Sequence, residues 1–213
     1  MLFWILKAIA YLPLKIIFPT KVIDKKNMPK RGGIVEICNH RRNADTIVVV
    51  ANQRRRPRVL GKKELFKFFL MRWFLKALGG ISVDRKNVKT SSLKSVLKVI
   101  KSGKPILIFP EGRRNKTGGA AFLEFKQGAA LFALMSKVPI VPMYLKYPPR
   151  LFRRNYLFIG ESIEFSNYYG KVPTPQILEE TSQILTGKLQ ELQDNANLYN
   201  RKTLKNKVNL KRS

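Results

Sequence analysis

The chain opens with an apolar stretch and then alternates short hydrophobic runs with longer amphipathic ones. Runs rich in β-branched and aromatic residues predict strands at 33–38, 57–61, 81–83, 106–109 and 140–145. Runs with apolar positions three and four residues apart predict helices at 44–52, 65–78, 90–102 and 125–136. This alternation predicts an α/β fold with a central, mostly parallel or mixed sheet flanked by helices.

The first 19 residues are apolar except for Lys7 and Lys15, and Pro13 interrupts them. A membrane span needs about 20 apolar residues with few charges, so the two lysines and the proline argue against a straight span. A secretory signal peptide fits poorly, because no basic region precedes the apolar stretch. The pattern predicts a helix lying in the membrane interface with its lysines reaching lipid phosphates. The alternative is a helix packed on the domain's own core.

Residues 65–78 resemble the N-terminal stretch, because Lys67, Arg72 and Lys76 lie among aromatic and aliphatic side chains. Cations spaced in this way are typical of a basic amphipathic helix. The segment is therefore predicted to be an interfacial or lipid-groove helix. A surface helix whose cations extend over its apolar face would have the same pattern.

Composition narrows the class of protein. The 213 residues carry 42 Lys and Arg against 13 Asp and Glu, a formal net charge of +29, while 45% are apolar. That apolar fraction excludes a disordered polycation, and the length suits one domain. The charge predicts a polyanionic partner: nucleic acid, an anionic membrane, or a phosphorylated or acidic substrate. A single cysteine, Cys38, and a single histidine, His40, exclude a disulfide framework, a Cys-based zinc site and a His-rich metal centre.

The histidine lies at a predicted strand end, in Asn39-His40-Arg41-Arg42-Asn43-Ala44-Asp45. Asn43 is predicted to be the N-cap, which places Asp45 in the first turn of the next helix. With His40 in the preceding turn, the chain can fold back and bring the imidazole and the carboxylate together as a general base and its orienting group. The alternative is an Asp that stabilises the helix dipole beside an unrelated surface histidine.

A second polar cluster follows the strand 106–109, in Pro110-Glu111-Gly112-Arg113-Arg114-Asn115. The carboxyl ends of strands are where α/β sheets bind ligands, and arginines there suit a phosphate. A structural ion pair between Glu111 and an arginine is the alternative.

Together these segments resemble the glycerolipid acyltransferase family, which includes the lysophosphatidate acyltransferases. Four blocks match in order and spacing over about residues 25–165. They are Asn39-His40 with Asp45, Gly80-Ile81-Ser82-Val83-Asp84-Arg85, Phe109-Pro110-Glu111-Gly112 with Arg114, and Val138-Pro139-Ile140-Val141-Pro142.

The resemblance implies a role for each matching position. His40 would take the proton from the acceptor's hydroxyl, and Asp45 would hold its tautomer. Lys62, Arg85 and Arg114 would bind the acceptor's phosphate, with Glu111 and Gly112 completing that subsite. The acyl group would pass directly from an acyl thioester to lysophosphatidate, giving phosphatidate without a covalent intermediate, a metal or a cofactor. The donor would be acyl-coenzyme A or acyl carrier protein.

Three residues depart from the family pattern, which usually has serine two positions after the histidine, threonine before the second arginine and serine after it. Here those positions hold Arg42, Arg113 and Asn115. The acceptor's identity therefore stays open, with glycerol-3-phosphate or another lysophospholipid as alternatives. From another class, a nucleic-acid-binding module would use the Arg54-Arg55-Arg56-Pro57-Arg58 run, but it leaves His40, Asp45 and Glu111 unexplained. A basic loop facing lipid phosphates or an acidic carrier explains that run better.

The sequence thus predicts an enzyme attached to the cytoplasmic face of a membrane from one side, with anionic lipid as a partner. Residues 1–22 would form the membrane-interface helix, 23–190 the acyltransferase domain and 191–213 a basic C-terminal tail.

Overall fold

The computed structural model describes residues 13, 16–69, 72, 79–83, 90–116 and 121–209, without the side chains of 62, 65 and 200–209. The strands are β1 (Thr20–Ile23), β2 (Ile34–Cys38), β3 (Arg58–Lys62), β4 (Ile81–Val83), β5 (Pro105–Ile108), β6 (Ile140–Leu145) and β7 (Asn155–Ile159). The described α-helices are α1 (Ala44–Ala51), α2 (Thr90–Lys101), α3 (Gly128–Ser136) and α4 (Pro175–Asn209). Short 3₁₀ turns occur at Lys25–Asn27, Lys63–Phe66 and Ser166–Tyr168.

The seven strands form one sheet in the order β1-β7-β6-β2-β5-β3-β4. Every neighbouring pair is parallel except β6 and β7, which are antiparallel. Helix α1 packs on one face through Val48, Val49 and Val50, while α2, α3 and α4 cover the other face. The predicted α/β fold with a mixed central sheet is therefore confirmed.

The direction of the strands determines which loops lie together. Strands β2, β3, β5 and β6 end at one end of the sheet, which we call the carboxyl end. Because β7 runs antiparallel to β6 and β1 runs parallel to β7, the first residues of β1 and β7 also lie at the carboxyl end. This end therefore carries the loops after β2, β5 and β6, together with the residues that lead into β1.

All five predicted strands are present within a residue or so of their predicted bounds. The helix predicted at 125–136 begins only at Gly128. The residues before it are held by the preceding loop instead, since Leu123 N–H donates to Glu111 Oε2 and Lys126 N–H donates to the carbonyl of Pro110.

Most of the predicted N-terminal membrane helix (1–22) and of the 65–78 helix lies outside the described residues, and residues 20–22 belong to strand β1. Within the described part of the chain, no helix has the length and apolarity needed to cross a bilayer. Helix α4 continues through residue 190, so no break in secondary structure marks the predicted start of the tail. The domain boundaries stay a prediction.

The interpretation of Arg54–Arg58 as a solvated basic loop is wrong for Arg55. Its guanidinium donates to the backbone carbonyls of Pro29, Gly32 and Gly103. The run precedes β3 and therefore lies at the end of the sheet opposite the carboxyl end. Arg55 stabilises the fold there, because one charged side chain satisfies three carbonyl groups that the sheet and helices leave unpaired.

Candidate active site

The loop that carries the histidine is attached to the sheet by Asn39. Strand β2 ends at Cys38, and the next side chain pairs with the last residue of β6. Asn39 Nδ2 donates to the carbonyl of Leu145 at 3.1 Å, and Leu145 N–H donates to Asn39 Oδ1 at 2.8 Å. The buried amide thus continues the pairing of β2 with β6 by one residue. This places His40 at the carboxyl end of the sheet.

His40 and Asp45 meet as the sequence predicted. His40 Nδ1 lies 3.0 Å from Asp45 Oδ2, and the Asp45 side chain is 1% exposed. The same oxygen accepts the N–H groups of Arg41 at 2.5 Å and Arg42 at 2.6 Å. Two backbone donors therefore fix the carboxylate, and the carboxylate in turn fixes the orientation of the imidazole ring. The arrangement matches a general base with its orienting acid.

Asn43 occupies the N-cap position of α1, but its side chain makes no capping hydrogen bond. Its Oδ1 instead accepts a hydrogen bond from the Arg114 guanidinium at 3.1 Å. Asp45, inside the helix, satisfies the backbone donors of the preceding turn. Asn43 therefore joins the loop after β2 to the loop after β5.

Phe109 stacks on the His40 ring, with ring centroids 4.1 Å apart and planes inclined by 24°. Phe109 follows β5 directly and is buried. The stack presses one face of the imidazole against a hydrophobic surface, so the plane of the ring is fixed as well as its Nδ1 direction. Sequence reasoning placed Phe109 in a matching block without giving it this role.

Glu111 holds the backbone of the histidine loop. Its carboxylate is buried, and Oε1 accepts the N–H of His40 at 2.9 Å while Oε2 accepts the N–H of Leu123 at 3.1 Å. The Asn115 N–H donates to the carbonyl of His40 at 2.7 Å. The His40 peptide groups are thus held on both sides by the loop after β5. Both of these bonds go to backbone N–H groups, and no described arginine forms an ion pair with Glu111.

Arg41 links the same loop to β6, a contact that sequence reasoning missed. Its guanidinium donates to Tyr144 Oη at 2.8 Å and to the carbonyl of Lys146 at 3.0 Å, and it lies 5.5 Å from the centre of the Tyr144 ring. Burial raises the pKa of Tyr144, which keeps that phenol neutral. The partners are more than 100 residues apart in sequence, so no local pattern pointed to them.

The predicted phosphate ligands are only partly described. Arg114 is exposed and lies beside Asn43 at the start of α1, while Lys62 is the last residue of β3 with its side chain outside the described part. Arg85 lies outside the described residues. Gly112 has a φ of 66°, and a Cβ added there would lie 2.8 Å from the Lys126 side chain, so both backbone and space favour glycine. The binding roles of these residues stay predictions.

No cluster of three or more His, Cys, Asp or Glu side chains suited to a metal occurs among the described residues. The expected absence of a cofactor stays a prediction.

Comparisons with known proteins identify the family of the chain. The family profile described as "Acyltransferase" matches residues 19–146. The 1-acyl-sn-glycerol-3-phosphate acyltransferase of Bacillus subtilis is 31% identical over 180 residues, covering 82% of this chain and 88% of that protein. The protein of the same name from Escherichia coli is 30% identical, covering 76% of this chain and 69% of that one. For the Borreliella burgdorferi relative, 28% identical, the match spans about half of its length (55%).

A solved structure shares the fold. The crystal structure of the Thermotoga maritima 1-acyl-sn-glycerophosphate acyltransferase PlsC superposes with a TM-score of 0.64 at 20% identity, covering 89% of this chain and 77% of that one. The matched family region contains His40, Asp45, Glu111 and Arg114. The chain therefore belongs to the acyltransferase family and is an enzyme of that family.

Proposed function

We propose that this enzyme transfers a fatty acyl group from an acyl thioester to the free hydroxyl of lysophosphatidate, giving phosphatidate. The observation that carries the proposal is the His40–Asp45 pair, 3.0 Å apart at the carboxyl end of the sheet. The names of the relatives in Bacillus subtilis and Escherichia coli support the choice of acceptor.

The chemistry is direct transfer. His40 carries its proton on Nδ1, which donates it in a hydrogen bond to Asp45. Its unprotonated Nε2 faces the acceptor's hydroxyl and takes the hydroxyl proton as the oxygen attacks the thioester carbonyl. The new C–O bond forms a tetrahedral intermediate, and its collapse breaks the C–S bond. The imidazolium, stabilised by Asp45, returns the proton to the departing thiolate. Atoms and charges balance without a covalent acyl-enzyme.

The single cysteine supports a mechanism without an acyl-enzyme. Cys38 is fully buried in β2, and burial raises the pKa of its thiol. A buried thiol with a raised pKa is a poor nucleophile. The oxygen of the acceptor, activated by His40, is the nucleophile that this site supports.

Arg114, Arg85 and Lys62 are proposed to bind the acceptor's phosphate, which favours clustered guanidinium and ammonium groups. Arg114 is the member of this set whose side chain is described, and its bond to Asn43 places it beside the histidine loop.

Arg42 and Arg113 are exposed on the same two loops and add positive charge. On that observation the second candidate is a different acceptor, glycerol-3-phosphate or another lysophospholipid, because these arginines stand where the family usually has serine and threonine. Asn115, the third departure from the family pattern, does not bear on the choice of acceptor, because its side chain is buried and donates to the carbonyl of Ala121.

The donor is proposed to be acyl-coenzyme A or acyl carrier protein, both of which are anionic and suit a chain of charge +29. The enzyme is proposed to act at the cytoplasmic face of a membrane, attached from one side. The nucleic-acid alternative loses one arginine of its basic run, since Arg55 donates to backbone carbonyls.

The test is acyl transfer by the purified full-length protein, with labelled acyl donor and lysophosphatidate, other lysophospholipids or glycerol-3-phosphate. We expect His40→Ala to lower kcat at least about a hundredfold, because general base catalysis is lost. Lys188→Gln, at an exposed ion pair on α4, is the matched control and should keep parental activity. Parental activity in His40→Ala would overturn the mechanism, and transfer to glycerol-3-phosphate alone would overturn the acceptor.

A further inference from the structure

The loop between β6 and β7 exposes two large apolar side chains at its tip. Leu151 is 59% exposed and Phe152 is 71% exposed. The flanking Arg150, Arg153 and Arg154 are exposed as well. We call residues 150–154 the β6–β7 tip. Adjacent exposed Leu and Phe side chains mark an interaction site more often than scattered single ones do.

The tip has a defined conformation. Phe152 has a φ of 55°, in the left-handed region that bulky residues rarely adopt, and its N–H donates to the carbonyl of Ile17 at 2.7 Å. Asn155 is buried and joins the two sides of the loop, because its Oδ1 accepts the N–H of Arg150 and its Nδ2 donates to the carbonyl of Arg153. The two apolar side chains are thus held outward by hydrogen bonds on both sides.

The tip lies at the carboxyl end of the sheet, the same end as His40. It connects the end of β6 with the start of β7, and the Arg41 guanidinium donates to the carbonyl of Lys146, where the loop begins. The residues leading into β1 arrive at this end too, and among them Ile16 is 62% exposed. Exposed apolar residues from two distant parts of the chain therefore lie at this end of the sheet, where the Phe152 N–H donates to the carbonyl of Ile17.

We propose that the β6–β7 tip inserts into the surface of an anionic bilayer, as a second contact separate from the predicted N-terminal helix. Leu151 and Phe152 would enter the boundary between headgroups and acyl chains, and the three arginines would bind lipid phosphates. This contact turns the carboxyl end of the sheet, with His40, toward the lipid in which a lysophospholipid dissolves. Only that last consequence rests on the proposed function.

Two observations favour a bilayer over an acidic protein as the partner. The tip is continuous with the apolar N-terminal segment, because Ile17 is hydrogen-bonded to Phe152 itself. Leu151 and Phe152 are also more than half exposed, so their apolar side chains can enter lipid. An acidic carrier protein is the alternative occupant, and the experiment below separates the two.

A tryptophan probe measures insertion directly. The full chain has two tryptophans, Trp4 and Trp73, so Trp4→Phe/Trp73→Phe provides a silent background. In that background Phe152→Trp should shift its emission to the blue and be quenched by brominated lipid when vesicles of equal parts phosphatidylglycerol and phosphatidylcholine are added. Met135→Trp is the control, since Met135 is exposed in the last turn of α3, just before β6 begins and so at the opposite end of the sheet. No shift at position 152, or an equal shift at 135, overturns the proposal.

Binding to the same vesicles gives the second measurement. We expect Leu151→Ser/Phe152→Asn, and separately Arg150→Gln/Arg153→Gln/Arg154→Gln, to weaken binding by roughly tenfold to a hundredfold. Lys98→Gln/Lys101→Gln/Lys104→Gln removes the same charge at the opposite end and should change binding by less than about threefold, because distant charges are screened. Equal losses in tip and control variants would overturn the proposal. So would unchanged vesicle binding with lost binding to an acyl carrier protein.

The outcome is independent of catalysis. Vesicle binding is measured without substrate, and the tip variants should turn over a short-chain, water-soluble lysophosphatidate at the parental rate. If the parent itself fails to transfer acyl groups while its tip still inserts, the proposed function is wrong and the membrane contact stands.

Discussion

At the scale of single residues, Glu111 shows how a side chain in a sequence motif can act through the backbone. Its two oxygens accept the N–H groups of His40 and Leu123. The resemblance to the acyltransferase family implied contact with the acceptor or the arginines. In the observed geometry Glu111 instead positions the backbone of the histidine loop.

The two roles of Glu111 are separable by experiment. In Glu111→Gln one carboxylate oxygen becomes an NH₂ group facing a backbone N–H, so a buried donor loses its acceptor. We expect the free energy of unfolding to fall by about 1–3 kcal/mol and kcat to fall more than KM for the acceptor rises. Thermal unfolding and steady-state kinetics measure both, with the exposed Glu161→Gln as control. A raised KM with unchanged stability would assign Glu111 to the phosphate instead.

Glu36 is a third buried carboxyl group, besides those of Asp45 and Glu111. It lies fully buried in the middle of β2 and accepts a hydrogen bond from Gln53 Nε2 at 2.9 Å. Burial raises its pKa from 4.5 to about 8, and the Gln53 bond and the charge of Arg55 only partly oppose the shift. The folded protein therefore keeps Glu36 protonated at neutral pH.

A pH dependence of stability follows. Between about pH 4.5 and 8 the unfolded chain releases the Glu36 proton while the folded protein keeps it, so stability falls as pH rises through this window. The upper limit of the change is about 5 kcal/mol. Urea unfolding across this range should give a slope that Glu36→Gln flattens and the exposed Glu164→Gln leaves unchanged. An equal slope in Glu36→Gln would show that the group is ionised in the fold.

At the scale of elements, the loop after β2 depends on β6 as much as on α1. The Arg41 guanidinium bonds Tyr144 Oη and the carbonyl of Lys146, and the Lys146 ammonium in turn donates to the carbonyl of Ala196 in α4 at 2.6 Å. The histidine loop, a strand and the last helix are therefore joined by buried polar contacts.

Arg41→Met tests this connection. It removes both bonds from the loop and leaves Tyr144 Oη and the Lys146 carbonyl without that donor, so His40 is less well positioned. We expect kcat to fall roughly tenfold with little change in KM, and Arg41→Lys to recover part of the loss. Arg31→Met, exposed at the other end of the sheet, should match the parent. A change in KM alone would indicate contact with substrate instead.

The elements that the sequence predicted are those with a strong local pattern. Strands β5 and β6 are apolar runs and β2 is apolar except for Glu36, and His40 meets Asp45 because only five residues separate them. Helix α4 was missed because its buried face includes Thr181, Ser182 and Gln193, which weaken the apolar period. The contacts of Glu111 with His40 and of Arg41 with Tyr144 join residues 71 and 103 positions apart, and such pairs follow only from the assembled sheet.

At the scale of the whole molecule, the two ends of the sheet have different tasks. The carboxyl end holds the histidine loop and the β6–β7 tip. At the opposite end, Arg55 joins its own loop to two other segments of backbone, through the carbonyls of Pro29 and Gly32 before β2 and of Gly103 before β5. Part of the net charge of +29 is therefore structural, and the total overstates the charge available to partners.

Replacing this arginine should destabilise the protein without altering the site. We expect Arg55→Gln to lower the free energy of unfolding by about 2 kcal/mol, because three carbonyls lose a charged donor. Arg54→Gln next to it is exposed and should cost less than about 0.5 kcal/mol. Denaturant unfolding measures both free energies. Equal effects of the two substitutions would show that Arg55 contributes no more to stability than an exposed arginine of the same run.

The burial of Cys38 has a practical consequence. It is the one thiol of the chain, two residues before His40, and no part of it reaches solvent. A thiol-specific reagent can modify it only during moments when the end of β2 separates from its neighbours. The rate of labelling in native buffer therefore counts how often the catalytic end opens, and it does so without any engineered probe. Comparing the labelling rate with the rate of global unfolding would show whether the site opens locally or only when the whole domain unfolds.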